Sequence, residues 1–416
     1  MMNWATINKN RGMSAEKYQF YFGTYDFKDF GKGEISKSLP VSRVGWGKRA
    51  VEMRANKTHF DRFENDALNL NDIMKRYKIY EAFNILKDDI LVGGCGFLAL
   101  VGDKVLPFTS EEATGRFSWK TLNLDYGVAV FNGTASKYGN KGIPRTYIEY
   151  FPDRTVAYDD YGNKKTSETP NTTGRPLIAL LTHHASVKKP FGHSVLSNAA
   201  RGAIIDASRT LRQAMIAAYY YNSKVDVILG ADSGTPIDAV ESQTGDILKI
   251  GPNKNGETPS LGQFAQHAMT PFSDTMLIAA RNFCSDTKLS LANLGISSDA
   301  PQSPEALEIV GDDLKDDITE WHSELGQQLK QFAFTIFMYE QGISEIDANL
   351  AEQLDNTVPV WKPIYRSDFS KFGDGLVKIA QYAPAALKTR SIWRNLGLSS
   401  QEIDDIVESI SLAEIQ

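Results

Sequence analysis

The last third of the chain carries apolar side chains in a sustained helical rhythm. Leu307, Val310, Leu314, Ile318, Trp321, Leu325, Leu329, Phe332 and Ile336 recur at spacings of 3, 4, 4, 3, 4, 4, 3 and 4, one face of a 3.6-residue repeat. Ser303 suits the N-cap, Pro304 the first helical position and Glu305 the positive helix end. The pattern predicts one helix over 304–342, ended by Gly342. At 1.5 Å per residue it is roughly 55–60 Å long. A compact enzyme domain rarely needs such a rod, and a large assembly often does. A second stripe, Leu196, Ala200, Ala203, Ala207, Leu211, Ala214 and Ala218, predicts a helix over about 194–221 whose Ala-rich face permits close helix packing. A third helical stretch is expected over about 261–289. Thr270 caps its main part, Pro271 follows, and Phe272, Met276, Ala279 and Phe283 share one face.

Between these helices, 224–262 reads as a small α/β insert. Val225, Val227 and Leu229 alternate, Ile247, Leu248 and Ile250 offer a partner strand, and Gly, Pro and Asn punctuate the rest. The region before residue 190 is mixed. A helical segment over 68–91 leads through Gly93-Gly94-Cys95-Gly96 into a strand at 97–101, and Gly102-Asp103 suits a hairpin turn. Leu124, Tyr126, Val128 and Val130 alternate as a half-buried strand. Two short strands are expected within 147–158, an exposed polar loop over 159–173, and a buried strand over 176–182. Tyr18, Phe20, Tyr21, Phe22, Tyr25, Phe27 and Phe30 show no clean period, which predicts an arm or a loosely packed edge. The tail offers Val358-Pro359-Val360-Trp361, a helix near 369–382, and a last helix. There Ser399 and Glu402 form a capping box and Ile403, Ile406 and Ile410 are expected to be buried. The fold class is α+β.

Composition narrows the function classes. The 416 residues are 42% hydrophobic and 23% charged, an ordinary globular balance that excludes a disordered, collagen-like or bare coiled-coil chain. A net charge of −6 argues against gripping nucleic acid through a basic surface, though not against letting it pass. Two cysteines, Cys95 and Cys284, give no disulfide framework and fit a reducing compartment. No run approaches the roughly twenty apolar residues of a membrane span. Residues 1–20 lack a signal-peptide core, so the expectation is a chain made in the cytoplasm and not membrane-bound.

No catalytic constellation stands out. Gly93–Gly96 lacks the Lys-Ser/Thr of a phosphate loop and reads as a helix-to-strand turn. His183, His184 and His193 are close in sequence. Adjacent residues of a strand point to opposite faces, so they read as surface or interface histidines rather than metal ligands. Asp312, Asp313, Asp316 and Asp317 recur at i and i+4 with Lys315 between them, and read as a solvated acidic face. Cys284 reads as a packing thiol. The expected catalytic residues, metal ligands and cofactors are therefore none.

The order of pieces is more specific than any one motif. Ile85-Leu86 through Val101 resembles the helix–glycine–strand segment of the wing of tailed-bacteriophage portal proteins of the siphophage type. Lys189-Pro190-Phe191-Gly192-His193-Ser194, with Ile204-Ile205-Asp206-Ala207 after it, resembles the lead-in to that family's first stem helix. The stretch from Ser290 to Leu294, with Gly295, resembles the passage into its tunnel loop, and Gln302-Ser303-Pro304-Glu305-Ala306-Leu307 the start of its long wing helix. Val360-Trp361 and Leu396-Gly397-Leu398-Ser399 with Glu402-Ile403 resemble its C-terminal part. The resemblance spans about residues 70–412.

This resemblance implies the following parts: N-terminal arm and wing 1–190, first stem helix 191–223, clip 224–262, second stem helix 263–289, tunnel loop 290–303, long wing helix 304–342, and C-terminal wing with a short crown 343–416. It implies a dodecameric ring at one capsid vertex of the virion, without an active site of its own. Double-stranded DNA would enter and leave through the ring without sequence recognition. Terminase large subunit and then head-to-tail adaptor would dock on it, and major capsid and scaffolding proteins would surround it. On that reading Lys288, Ser290, Asn293, Ser297 and Ser298 face DNA, and Lys249, Asn253, Lys254 and Asn255 meet docking partners. The stem region is nearly balanced: Arg201, Arg209, Arg212, Lys224, Lys249, Lys254, Arg281 and Lys288 stand against nine acids over 194–290. That suits weak contact with passing phosphates. The alternatives are another ring-forming virion connector, or a metal-dependent hydrolase built on the acidic helix and the histidines.

Overall fold

The computed structural model describes residues 14–27, 41–131, 146–159, 164–222, 226–229, 238–242, 245–249, 255–256, 260–263, 269–296, 304–364, 377, 381–382, 387, 389–395 and 400–413. The helices are α1 (14–22), α2 (Trp46–Ala55), α3 (Leu70–Arg76), α4 (Ile79–Gly93), α5 (Asn198–Asn222), α6 (Thr270–Thr287), α7 (Pro304–Gln341), α8 (Ala348–Asn356), α9 (Arg390–Asn395) and α10 (Ser400–Ala413). The chain divides into two units. One holds Met1–Tyr25, Gly45–Gly202 and Asn282–Gln416, and the other Asp26–Val44 and Ala203–Arg281.

In the first unit the stripe on α7 forms the spine of the core. Leu314, Ile318, Trp321, Leu325, Leu329, Phe332 and Ile336 are all buried. They pack on β9 (Ile178–Thr182), on α3 and on β14 (Val358–Trp361). The helix is long enough for a rod shared by many copies, yet from Leu314 onward its apolar face is covered by its own chain. Gly342, at φ 65°, ends it as expected. The Gly342 N–H bonds Tyr339 O and the Ile343 N–H bonds Met338 O, which satisfies two of the last carbonyls.

Among the described residues of the first unit the strands form three sheets. β1 (Phe60–Glu64) pairs antiparallel with β14. β2 (Cys95–Val101), β3 (Lys104–Thr109) and β9 form an antiparallel sheet in the order β3-β2-β9, with Gly102-Asp103 as the hairpin turn. β4 (Ala113–Ser118), β5 (Asn123–Phe131), β6 (Thr146–Tyr150), β7 (Arg154–Asp159) and β8 (Lys164–Pro170) follow one another in an antiparallel meander. Tyr126, Val128, Val130 and Tyr147 form its small core. The expected loop over 159–173 instead contains β8, an edge strand. All seven of its residues are exposed, so backbone pairing to β7 holds it without any apolar alternation. The helical segment expected over 68–91 is two helices, broken at Lys78, which lies at φ 58°.

Over 14–25 the aromatic N-terminal stretch is partly packed, although Phe22 is 68% exposed. Phe20 and Tyr25 are buried and stack at 4.6 Å. Tyr18 and Tyr21 donate to Asp89 and Asp88 of α4, and Lys17 donates to Gly93 O at 2.6 Å. Near the other end Ile403 is buried, whereas Ile406 and Ile410 are only half-buried. The helix expected near 369–382 lies largely outside the described residues.

In the second unit the Ala face of α5 is buried at Ala203 and Ala207 and half-buried at Leu211, Ala214 and Ala218. The expected strand pairing is corrected. β10 (Asp226–Leu229) pairs with β13 (Ser260–Gln263), and β11 (Asp238–Ser242) with β12 (Gly245–Lys249). Residues 260–263, expected to begin a helix, are strand, and α6 starts at Thr270, where the Thr-Pro signal stands.

One close approach carries a prediction. A Cβ on Gly326 of α7 would lie 2.7 and 2.9 Å from the Pro359 ring on β14. Alanine favours a helix over glycine by about 1 kcal/mol, but the rigid ring cannot yield cheaply. Gly326→Ala is expected to destabilise by about 1–2 kcal/mol net, read as a lowered urea midpoint at unchanged m-value.

Candidate functional site

The most unusual group of side chains in the first unit sits where the end of α6, α2, α7 and the turn after β9 meet. Asp317 of α7, expected on a solvated face, is 4% exposed. Its Oδ2 accepts from Arg54 Nε of α2 at 2.8 Å, and its Oδ1 accepts from Lys288 Nζ at 2.7 Å and from His184 Nε2 at 3.0 Å. Two further Arg54 N–H groups donate to Thr287 O at 2.6 Å and Ala50 O at 3.1 Å. Burial alone would raise the Asp317 carboxyl. The His184 bond, the Arg54 charge and the Lys288 bond outweigh burial and hold it well below the usual carboxylate range. Burial lowers Arg54, and Asp317 opposes that shift.

The histidine pair is built by the backbone. β9 ends at Thr182, and His184 lies at φ 51°. That conformation breaks the strand alternation on which the opposite-faces expectation rested. The two rings therefore lie side by side, with centroids 4.3 Å apart and planes tilted by 58°. Glu324 of α7 fixes the turn, accepting from the backbone N–H of His184 at 2.8 Å and of Ala185 at 3.1 Å. Trp321 Nε1 donates to Thr182 O at 3.0 Å. Gly192, at φ 71°, passes so close that a Cβ there would lie 2.3 Å from Gly94 O and 2.7 Å from His183 O. His183 is 5% exposed. Its Nδ1 lies 2.7 Å from His193 O, which can only accept, so Nδ1 carries the proton and Nε2 a lone pair. That Nε2 is buried without a hydrogen-bond partner. Burial, helped by His184, pushes the His183 pKa down to about 3. One ring nitrogen of each histidine and a carboxylate oxygen of Asp317 lie within 4.8 Å of one another. These three residues could hold a cation.

No family model and no curated protein matches the chain. Among solved structures it is similar to a chain from the neck of a native GTA particle computed with C12 symmetry. Identity is 15% and the TM-score 0.47, over 93% of this chain and 97% of that one.

The expected DNA-facing residues fall beside this node. Lys288, at φ 52°, gives its ammonium to Asp317 while its side chain stays 49% exposed. Ser290 Oγ bonds Asn293 Oδ1 and accepts from Asn293 N at 3.2 Å. Asn293 O accepts from Arg49 Nε of α2 at 2.9 Å. The segment after α6 is thus tied to α2 and α7 and contains a short 3-10 turn, Ala292–Leu294. Ser297 and Ser298 lie outside the described residues, as do Asn253 and Lys254. Lys249 ends β12, and Asn255 is exposed in a turn.

Gly93–Gly96 is the expected helix-to-strand turn, with Gly94 at φ 98°. Cys284 is a buried thiol raised to about 11 by burial. A groove of about 750 Å³ opens between Trp119, Leu122, Val187, Arg175, Gln328 and Gln331. Among the described residues no helix is long and apolar enough to cross a membrane.

Sequence reasoning missed the node because Asp317 was read within its acidic run. The signal lay in a second seam on the same helix: Asp317, Trp321, Glu324, Gln328 and Gln331 are spaced 4, 3, 4 and 3. Trp321, Glu324 and Gln328 bond the backbone at 182–185, and Gln331 bonds Arg175 at 3.1 Å.

Proposed function

We propose that the chain is a portal-type subunit of a tailed-phage-like virion. On this reading it forms a ring, dodecameric by the family resemblance, at one capsid vertex, and DNA passes through the ring during packaging and ejection. The observation that carries the reading is the order of elements. A 25-residue helix, a small insert of paired strands, an 18-residue helix, a short anchored turn and a 38-residue helix follow a mixed α+β region. The near-balance of charge over 194–290 supports passage of DNA rather than grip. Copies of one chain that meet head to tail at a closing angle give such a ring.

In this reading the chain performs no chemistry, and the packaging ATPase is another protein. The β insert of the second unit, with Lys249 and Asn255, offers the docking face for terminase large subunit and later for the adaptor. The turn at 288–296 borders the channel. Major capsid and scaffolding proteins surround the outer face. The test is negative-stain imaging of the purified full-length protein. Rings with a central hole are expected, and a uniform field of monomers across assembly conditions would overturn the proposal.

A further inference from the structure

Two features of the turn favour a metal at the histidines. The adjacent rings converge because of the φ of His184, and the acidic residue beside them is buried rather than solvated. We propose that His183, His184 and Asp317 bind one divalent transition-metal cation of the Zn²⁺ class.

The donor set argues for that class. Two imidazole nitrogens and one carboxylate oxygen suit a borderline cation and leave a fourth tetrahedral position for water. A hard Ca²⁺ or Mg²⁺ wants more oxygens than one carboxylate supplies. His183 is already in the tautomer a metal requires. Its Nδ1–H is held by the His193 carbonyl and its Nε2 lone pair is unused inside the protein, an outer-shell arrangement typical of ligating histidines. His184 bares its Nε2 when its proton moves to Nδ1, which faces Glu320 Oε2 at 3.9 Å. Asp317 keeps Arg54 on Oδ2 and releases Oδ1.

The cation displaced from Oδ1 is Lys288. Its side chain is 49% exposed, so its ammonium can turn to water at small cost. One cation thus exchanges for another on the same oxygen, and the carboxylate of Glu320 offsets the extra positive charge. Tetrahedral bonds of 2.0–2.1 Å place ligand atoms about 3.4 Å apart. The ligand atoms now lie within 4.8 Å of one another, so binding must draw them closer.

Competition between Lys288 and the metal gives a test that a purely structural ion pair would fail. Full-length wild type, Lys288→Met and the double variant Lys288→Met/His184→Gln are titrated with ZnCl₂ by calorimetry. Bound metal is counted by mass spectrometry after desalting, and circular dichroism verifies folding. The proposal expects one Zn²⁺ per chain, bound about tenfold more tightly by Lys288→Met than by wild type, because a unit charge has left the same oxygen. Binding is lost in the double variant. His184 is partly exposed, so that variant is expected to fold. Absence of stoichiometric binding in Lys288→Met, equal or weaker affinity there than in wild type, or retention in the double variant each overturns the proposal. None of these outcomes bears on ring formation.

Discussion

Asp317→Ala is expected to lower folding stability by about 3–5 kcal/mol, because it strands a buried guanidinium. Arg54 is 3% exposed at its side chain, and its Nη1 and Nη2 each hold a backbone carbonyl, of Ala50 and Thr287, so it cannot follow the lost carboxylate into water. Lys288 contributes little to this cost, since its half-exposed ammonium is resolvated at once. The size of the effect belongs to the unpaired charge and not to a strong attraction. The double variant Arg54→Met/Asp317→Leu is therefore expected to recover most of the loss. A double-mutant cycle by urea unfolding measures this. Glu320→Ala on the same helix, with its side chain 74% exposed, is expected to change stability by less than about 0.5 kcal/mol. A loss below about 1 kcal/mol for Asp317→Ala would mean that Arg54 finds another partner or water.

The fold was legible where burial follows a period. The stripe from Leu314 to Ile336 and the alternation Leu124, Tyr126, Val128, Val130 could be read because one face of each element meets the core. β8 could not, because an exposed edge strand pairs through its backbone and leaves no apolar trace in Lys164–Pro170. The strand pairing of the small insert was misread for a related reason: register there is set by which chain segments return side by side, and composition does not record that. The start of α6 was marked by Thr270-Pro271, yet the apolar residues just before it invited an earlier beginning. At the site, the residue types were visible and the geometry was not. A left-handed conformation at His184 or Lys288 has no signature in residue type, whereas the seam Asp317, Trp321, Glu324, Gln328 was present in the spacing and would have moved Asp317 from solvent to core.

Acidification is expected to destabilise the first unit through another buried histidine, His322 of α7, well before the Asp317 pair fails. His322 is 5% exposed. It stacks on Trp361 at 4.4 Å, and its Nε2 lies 3.1 Å from Thr58 Oγ1. The Thr58 hydroxyl donates to Arg54 O, so it accepts from the neutral ring, which has no need of a second proton. Burial, with the nearby His59 adding to it, pushes the His322 pKa down to about 3 from 6.5. The unfolded chain therefore binds a proton in the window where the folded chain refuses it. Stability rises with pH wherever the unfolded state holds more protons. The contribution is fully present above pH 6.5 and is lost progressively as pH falls toward 3. The loss is about 1.4 kcal/mol per unit, or about 2.5–3 kcal/mol by pH 4.5. Asp317 follows the opposite ionisation: its depressed carboxyl stabilises the fold above the unfolded carboxylate value of 3.8, and that stabilisation is lost only as pH falls below it. Urea unfolding at pH 7.0 and 4.5 of wild type and His322→Gln separates the two groups. The wild type is expected to lose about 2.5–3 kcal/mol more than the variant over that interval, whatever the variant loses at neutral pH from the missing stack. Equal losses in both would show that His322 takes up its proton inside the fold at little cost.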